Sequence, residues 1–256
     1  MNKVFFISLF IIFSINTKAR AQLINVESNR MQEDTSRFAG QVSASFSYQQ
    51  NNNSTLLETS GALNLQTRTK SGKDVFLLLG SYDLKQANSG DLSNDGFVHL
   101  RYTHLFNDFF SLEGFVQYQT NPVLLLNNRM LIGAGPRFKI LNKTNLKSSL
   151  GTMYMFELEN TLEKVSNHYL NHRLSTFFTF NYVFAEKKIE FNTITYYQPL
   201  FNDFADFRIT NQTMLSFKIV KRTSLQFGIN YLHDASPPKG VIGNSFSSVM
   251  GVKAEF

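Results

Sequence analysis

The 256-residue chain has no cysteine and no tryptophan, 26 phenylalanines, and a formal charge of +6. Without cysteine it can form no disulfide, no thiolate metal site and no lipid-anchor thioether. Setting aside Lys3, Lys18 and Arg20 with an export signal lowers the charge to about +3, too little to argue for nucleic acid.

The predicted elements begin with that signal. Lys3 is followed by an apolar stretch from Val4 to Ile15, then by Ala19-Arg20-Ala21, a small-x-small cleavage site. Residues 1–21 are therefore expected to be removed, leaving Gln22 at the mature N-terminus. The alternative is a retained anchor, but the apolar run of about 12 residues falls short of the roughly 20 that a spanning helix needs. Residues 22–37 (QLINVESNRMQEDTSR) are polar and lack a sustained period. They are expected to form a short periplasmic lead-in or a tuck into a barrel mouth.

From residue 38 to 256 the pattern changes to period two, the signature of strands with different solvents on their two faces. Strand-length segments fall near 38–49, 55–68, 74–84, 96–105, 109–120, 128–141, 146–158, 168–184, 188–198, 206–219, 223–233 and 244–256. The last sets Phe246, Ser248, Met250, Val252, Ala254 and Phe256 against Ser245, Ser247, Val249, Gly251, Lys253 and Glu255. With the N-terminus in the periplasm, the outer loops are QQNNNS, KQANSGDLSND, TNPVLLLN, ENTLEKVSN, QPLFNDFAD and HDASPPKGVIGN. The inner turns are TKSGK, FND, LNKTN, AEK and VKR. Long and short alternate as an outer-membrane barrel requires. The fold class expected is all-β, a transmembrane antiparallel β-barrel of about twelve strands ending on Phe256; a soluble β-sandwich is the alternative.

Cost assigns the faces. A cation facing mid-bilayer lipid costs roughly 2–4 kcal/mol, so charges mark the lumen. Arg129, Gly133, Gly135, Arg137 and Lys139 share one parity; Met130, Ile132, Ala134, Phe138 and Ile140 share the other. Arg173, Ser175, Thr179 and Asn181 oppose Leu174, Phe178, Phe180, Tyr182 and Phe184, and Arg208, Gln212 and Lys218 oppose Phe207, Ile209, Leu215 and Phe217. Pro136 removes a ladder donor on the lipid side and suggests a bulge. Tyr48, Tyr82, Tyr102, Tyr182 and Phe256 are candidates for interfacial girdles. A three-residue turn at Phe106-Asn107-Asp108 would set Arg101 opposite Glu113, and a three- or five-residue LNKTN loop would set Arg129 opposite Glu157. The lumen-lining candidates are Glu58, Arg101, Glu113, Arg129, Arg137, Glu157, Arg173, Glu190 and Arg208, expected to form cross-strand ion pairs.

FVHLRYTHLFNDFFSLEGFVQYQTN followed by NNRMLIGAGPRFKI resembles the salt-induced outer-membrane protein family. The resemblance rests on an E-x-F-x-Q-x-Q strand (Glu113, Phe115, Gln117, Gln119) and an R-x-L-x-G-x-G strand (Arg129, Leu131, Gly133, Gly135), and extends from about residue 38 to Phe256. It implies a small single-chain outer-membrane barrel with no established activity and no catalytic residues to carry over.

Other chemistry reads poorly. His172 and Ser175 have opposite parity, so they point to opposite sides of the wall and cannot act as base and nucleophile. His168 and His172 share a face but stand about 13 Å apart in a strand, too far for one metal ion. His99, with lumenal parity, and His104 and His233, near strand ends, read as hydrogen-bonded wall residues. Glu157, Glu159 and Glu163, or Asp203 and Asp206, could hold a divalent cation, though no spacing matches a calcium loop and solvated loop charge is the default. Gly133-Ala134-Gly135 is no phosphate loop, since neither lysine-serine nor helix follows; small residues there would make room for a large lumenal neighbour.

Three functions fit to different degrees: a narrow passive channel for small, weakly anion-selected solutes, an occluded structural barrel that docks an envelope component, and a lipid-modifying enzyme, which the parity argument disfavours. No cofactor, metal, catalytic residue or nucleic acid is expected. The expected surroundings are outer-membrane lipid and, for the structural barrel, other envelope proteins.

Overall fold

The computed structural model describes residues 26–27, 37–51, 54–88, 90–122, 125–162, 168–220, 223–238 and 241–254. The signal, its cleavage site, the loop acid Glu163 and the proposed girdle residue Phe256 lie outside the described residues.

Twelve strands follow one another: β1 (Phe38–Asn51), β2 (Ser54–Arg68), β3 (Asp74–Ala87), β4 (Gly90–Leu105), β5 (Phe110–Asn121), β6 (Leu126–Lys143), β7 (Leu146–Thr161), β8 (His168–Phe184), β9 (Ile189–Pro199), β10 (Phe207–Val220), β11 (Thr223–Asp234) and β12 (Asn244–Ala254). They form one antiparallel sheet in chain order. The sheet curls round as a barrel wall does, so that Arg208 of β10 reaches Glu157 and Glu159 of β7, and Arg137 of β6 lies over the ring of Phe177 in β8; among the described residues β1 and β12 share no ladder. Strands of 11 to 18 residues match or exceed the roughly 9–11 needed to cross a bilayer, and the longer ones project beyond it.

The ladders give each residue a face. Phe46, Val42, Leu100, Val116, Ile132, Phe178 and Met250 are exposed on the outer side. Leu77, His99, Glu113, Met153 and Arg173 are buried on the inner side. Away from the strand ends, no outward position in the described strands carries Asp, Glu, Lys or Arg. That exclusion is what lipid demands of a barrel's outer surface. Tyr48 and Tyr82 stand outward near one end of the barrel, Tyr102 and Tyr182 near the other, all of them exposed.

The end of each even-numbered strand from β2 to β10 and the start of the strand after it lie at one end of the sheet, here the turn end; the end of each odd-numbered strand and the start of the strand after it lie at the other, the loop end. The expected loop KQANSGDLSND is mostly strand: β3 and β4 continue to Ala87 and Gly90, with a register shift between Lys85 and Gln86. Polar composition there marks strand ends rising clear of lipid rather than a loop.

Both registers proposed from the sequence are off by two residues, which keeps every face but changes every partner. Asn107 Oδ1 accepts the amides of Phe109 and Phe110 at 2.9 and 2.7 Å, a side-chain turn that lengthens the connection to four residues. Arg101 therefore faces Phe115, and Thr103 faces Glu113. The β6–β7 turn has two residues, and a bulge between Lys139 and Leu141 restores parity, so Arg129 faces Glu159 and Leu131 faces Glu157. The bulge expected at Pro136 is displaced to that point: the β6–β7 ladder skips Gly135 and Pro136 without changing register.

At Gly135 the facing backbone of β7 leaves no room for a side chain. A Cβ built there would stand 2.1 Å from the Thr152 carbonyl oxygen and 2.6 Å from Met153 Cα. Backbone cannot rotate away as a side chain can, so Gly135→Ala should cost about 1–3 kcal/mol or more through overpacking. Denaturant unfolding of the folded barrel measures this, with Gly251→Ala, where nothing lies within 4 Å, as the neutral comparison.

Candidate functional site

The lumen is filled in three tiers on the β4–β10 side. Nearest the loop end, Glu157 is fully buried and accepts from Arg208 Nη1 at 2.7 Å, Asn171 Nδ2 at 3.0 Å and Arg173 Nε at 3.3 Å. Arg129 lies 3.8 Å from Glu157 and 2.6 Å from Glu159. Arg208 also reaches Glu159 at 3.3 Å and Asp234 at 3.1 Å, and Arg173 reaches Asp206 at 3.0 Å. Three guanidinium groups and four carboxylates thus share one network. Their desolvation is offset only by this mutual arrangement, since each charge removed from water must be paired and hydrogen-bonded.

The middle tier is apolar. Phe115, Leu131, Met153, Met155, Phe177, Ile194 and Tyr196 form one buried cluster. Glycines admit it: a Cβ on Gly133 would lie 2.4 Å from the Phe115 ring, and one on Gly151 would lie 2.2 Å from the Phe177 ring. The room expected there for a large lumenal neighbour is thus taken up by aromatic rings.

Toward the turn end a second charged tier is tied to the N-terminal segment. Glu27 is buried and accepts from Arg101 at 2.5 Å and Arg137 at 2.6 Å. Glu113 lies 3.2 Å from Arg101 and 3.8 Å from Arg137, and accepts from the Thr103 hydroxyl at 3.3 Å. Arg101 Nε donates to His99 Nε2 at 3.3 Å, which leaves His99 Nδ1 to donate to Gln117 Oε1 at 2.9 Å. Both arginines also stack, Arg101 at 5.6 Å over Phe115 and Arg137 at 5.3 Å over Phe177. Val26 packs with Leu77 and Leu79. At these two residues the lead-in lies inside the lumen.

The remaining side of the lumen differs. The inward positions of β1 are Ala39, Gln41, Ser43, Ser45, Ser47 and Gln49, and β2 adds Ser60, Ala62 and Asn64. β11 and β12 contribute Gln226, Gly228, Asn230, Ser245, Ser247, Val249 and Gly251. These side chains are short or neutral, and both faces of β1, an edge with no ladder to β12 among the described residues, are largely exposed. One bond, Ser45 Oγ to Ser60 Oγ at 2.6 Å, crosses β1 and β2 on this face.

Of the nine residues expected to line the lumen, Arg101, Glu113, Arg129, Arg137, Glu157, Arg173 and Arg208 are buried within the two charged tiers. Glu58 has inward parity at the loop-end rim and pairs with Lys85 at 2.9 Å, each side chain 36% exposed. Glu190 has inward parity at the turn-end rim, where Asn181 donates to it at 2.7 Å. Glu159 and Asp206, read as solvated loop acids, belong to the network instead; Glu159 is 6% exposed. Glu27 and Asp234 were not foreseen. Parity could have found Asp234, the continuation of the inward set of β11, but Glu27 lies before any strand and no periodicity points to it.

The histidines behave as wall residues. His172 points outward against Tyr154 and Phe156, while Ser175 is buried on the inner face and accepts from Gln198 at 2.9 Å. His168 bonds Asn160, His104 bonds Asp74 at 2.7 Å, and His233 bonds Asn244 at 2.7 Å. Among the described residues no group of His, Asp and Glu is arranged to hold a metal ion.

A family model described as "Protein of unknown function, DUF481" matches residues 42–256. No curated protein matches the chain. Solved structures with a similar strand arrangement include the NanC porin, 12% identical, with a TM-score of 0.48 over 86% of this chain and 99% of that one. The KdgM porin in complex with disordered oligogalacturonate is 17% identical, with a TM-score of 0.43 over 84% and 99%. The β domain of the Bordetella autotransporter BrkA is 9% identical, with a TM-score of 0.43 over 86% and 100%.

Proposed function

We propose that this chain, which belongs to the family described as protein of unknown function DUF481, is a narrow passive channel of the outer membrane for small hydrophilic solutes. One observation carries the reading. The tiers of β4–β10 fill one side of the lumen, and the inward positions of β11–β12 and β1–β2 carry mostly serine, glutamine, asparagine and glycine, short or uncharged side chains. Hydroxyl and amide groups can exchange hydrogen bonds with a passing hydrated solute without trapping it, which conduction requires. The apolar outer face with aromatics at both ends supports contact with lipid. In this reading the turn end faces the periplasm. The lipid-enzyme alternative would need Ser175 and His172 on one side of the wall, and they lie on opposite sides.

The occluded structural barrel remains a second reading because of Glu27, whose two ion pairs hold chain inside the lumen. Single-channel current in a planar bilayer separates the two. Small reproducible steps are expected, and Ser45→Arg, which puts a long cation into the exposed strip, should lower their size by roughly twofold or more. A folded barrel that passes no current would reject the channel and favour the docking role. Steps unchanged by Ser45→Arg would move the path away from β1.

A further inference from the structure

In β11, β12, β1 and β2, formal charge is confined to the strand ends. Glu58 and Asp234 stand towards the loop end, Arg68 and Lys253 towards the turn end, and β1 carries no charge at all. Between Glu58 and Arg68 the inward positions of β2 are Ser60, Ala62, Asn64 and Gln66. The ten steps from Glu58 to Arg68, at about 3.3 Å each, make an uncharged run of roughly 30 Å, comparable to the hydrocarbon core of a bilayer.

The two charged tiers across the lumen carry no cationic surplus to act on this strip. Arg101 and Arg137 are met by Glu27 and Glu113. Arg129, Arg173 and Arg208 are met by Glu157, Glu159, Asp206 and Asp234. Opposite charges held this close largely cancel each other's field at a distance. An ion moving along the strip would give up hydration without meeting a counter-charge, which costs far more than moving an uncharged polar group. Serine hydroxyls and the carboxamides of Asn and Gln both donate and accept, as the hydroxyls of a polyol do, so hydrogen bonds to water are exchanged at little net cost.

We infer that the solutes passed along this strip are uncharged polyhydroxyl compounds, small sugars and polyols, rather than the anions that the lumenal arginines alone would favour. The inference deepens the channel reading and rests on it for an open path beside these four strands.

Tracer efflux from proteoliposomes with equal salt on both sides tests it. The probes are glucose, gluconate and glucosamine, similar in size but neutral, negative and positive in charge. Glucose is expected to leave at least about threefold faster than either ion. Ser43→Asp and, separately, Ser247→Asp place a carboxylate among the inward positions of β1 and β12. Each should slow gluconate relative to glucose by a further threefold or so. Circular dichroism verifies that each variant is folded, and the comparison of the three probes in the unaltered protein stands without them. Gluconate or glucosamine leaving as fast as glucose, or a gluconate-to-glucose ratio unchanged in both folded variants, overturns the inference and leaves the channel standing. Bilayer current without glucose efflux does the same. A folded barrel with neither current nor efflux overturns the channel and the inference together.

Discussion

Arg208→Met is expected to destabilise the barrel by about 3–5 kcal/mol, the usual cost of leaving a buried charge network without one of its partners. Arg208 touches three carboxylates: Glu157 at 2.7 Å, Asp234 at 3.1 Å and Glu159 at 3.3 Å. Its loss leaves four acids around Arg129 and Arg173. Glu157, fully buried, would keep Arg173 at 3.3 Å and Arg129 only at 3.8 Å. Methionine fills the volume of the stem without supplying a donor, so the effect reads charge and not packing. The measurement is the denaturant midpoint of the folded barrel in detergent, followed by circular dichroism. The double variant Arg208→Met with Glu157→Gln should recover part of the loss, because it removes the most buried of the stranded carboxylates. Additive losses in the double variant would mean that the two residues do not act through each other. By contrast, Glu190→Gln at the exposed rim should fall within about 0.5 kcal/mol of the unaltered protein.

The strand arrangement was legible because lipid enforces a strict rule. Period-two alternation combined with cations confined to one parity located all twelve strands, and β8 was placed at its observed ends, 168 and 184. Register was less legible, since it depends on turn detail that parity does not encode: with the Asn107 side-chain turn and the bulge between Lys139 and Leu141, each pairing lies two residues from the one proposed. Even so, Arg101 still reaches Glu113, and Arg129 still comes within 3.8 Å of Glu157, because a diagonal neighbour lies within the span of a guanidinium side chain. The apolar tier was missed for a different reason. Phe115, Leu131 and Phe177 sit on the lumenal parity of their strands, and the rule that sorts charges inward says nothing about apolar residues that also turn inward.

Glu27→Ala is expected both to weaken the fold and to widen the path. Glu27 meets Arg101 and Arg137, 74 and 110 residues further along the chain, so it fixes the N-terminal segment to two strands at once. Without it, Glu113 is left between both guanidinium groups, at 3.2 Å from Arg101 and 3.8 Å from Arg137. Two buried cations then share one close carboxylate, and the loss should again be about 3–5 kcal/mol. Val26 beside Leu77 and Leu79 is a small apolar anchor that cannot by itself hold the segment against the ordering cost of the chain. Release of the segment from the lumen should therefore raise single-channel conductance by roughly twofold or more. Glu27→Gln separates tether from bulk, since it keeps the side chain's size and removes its charge. If charge holds the segment, Glu27→Gln behaves like Glu27→Ala, and high salt mimics neither because a buried pair is poorly screened. If conductance stays at its original level in both variants while the midpoint falls, Glu27 acts only as a brace between β4 and β6, and the solute path runs clear of it along β1 and β12.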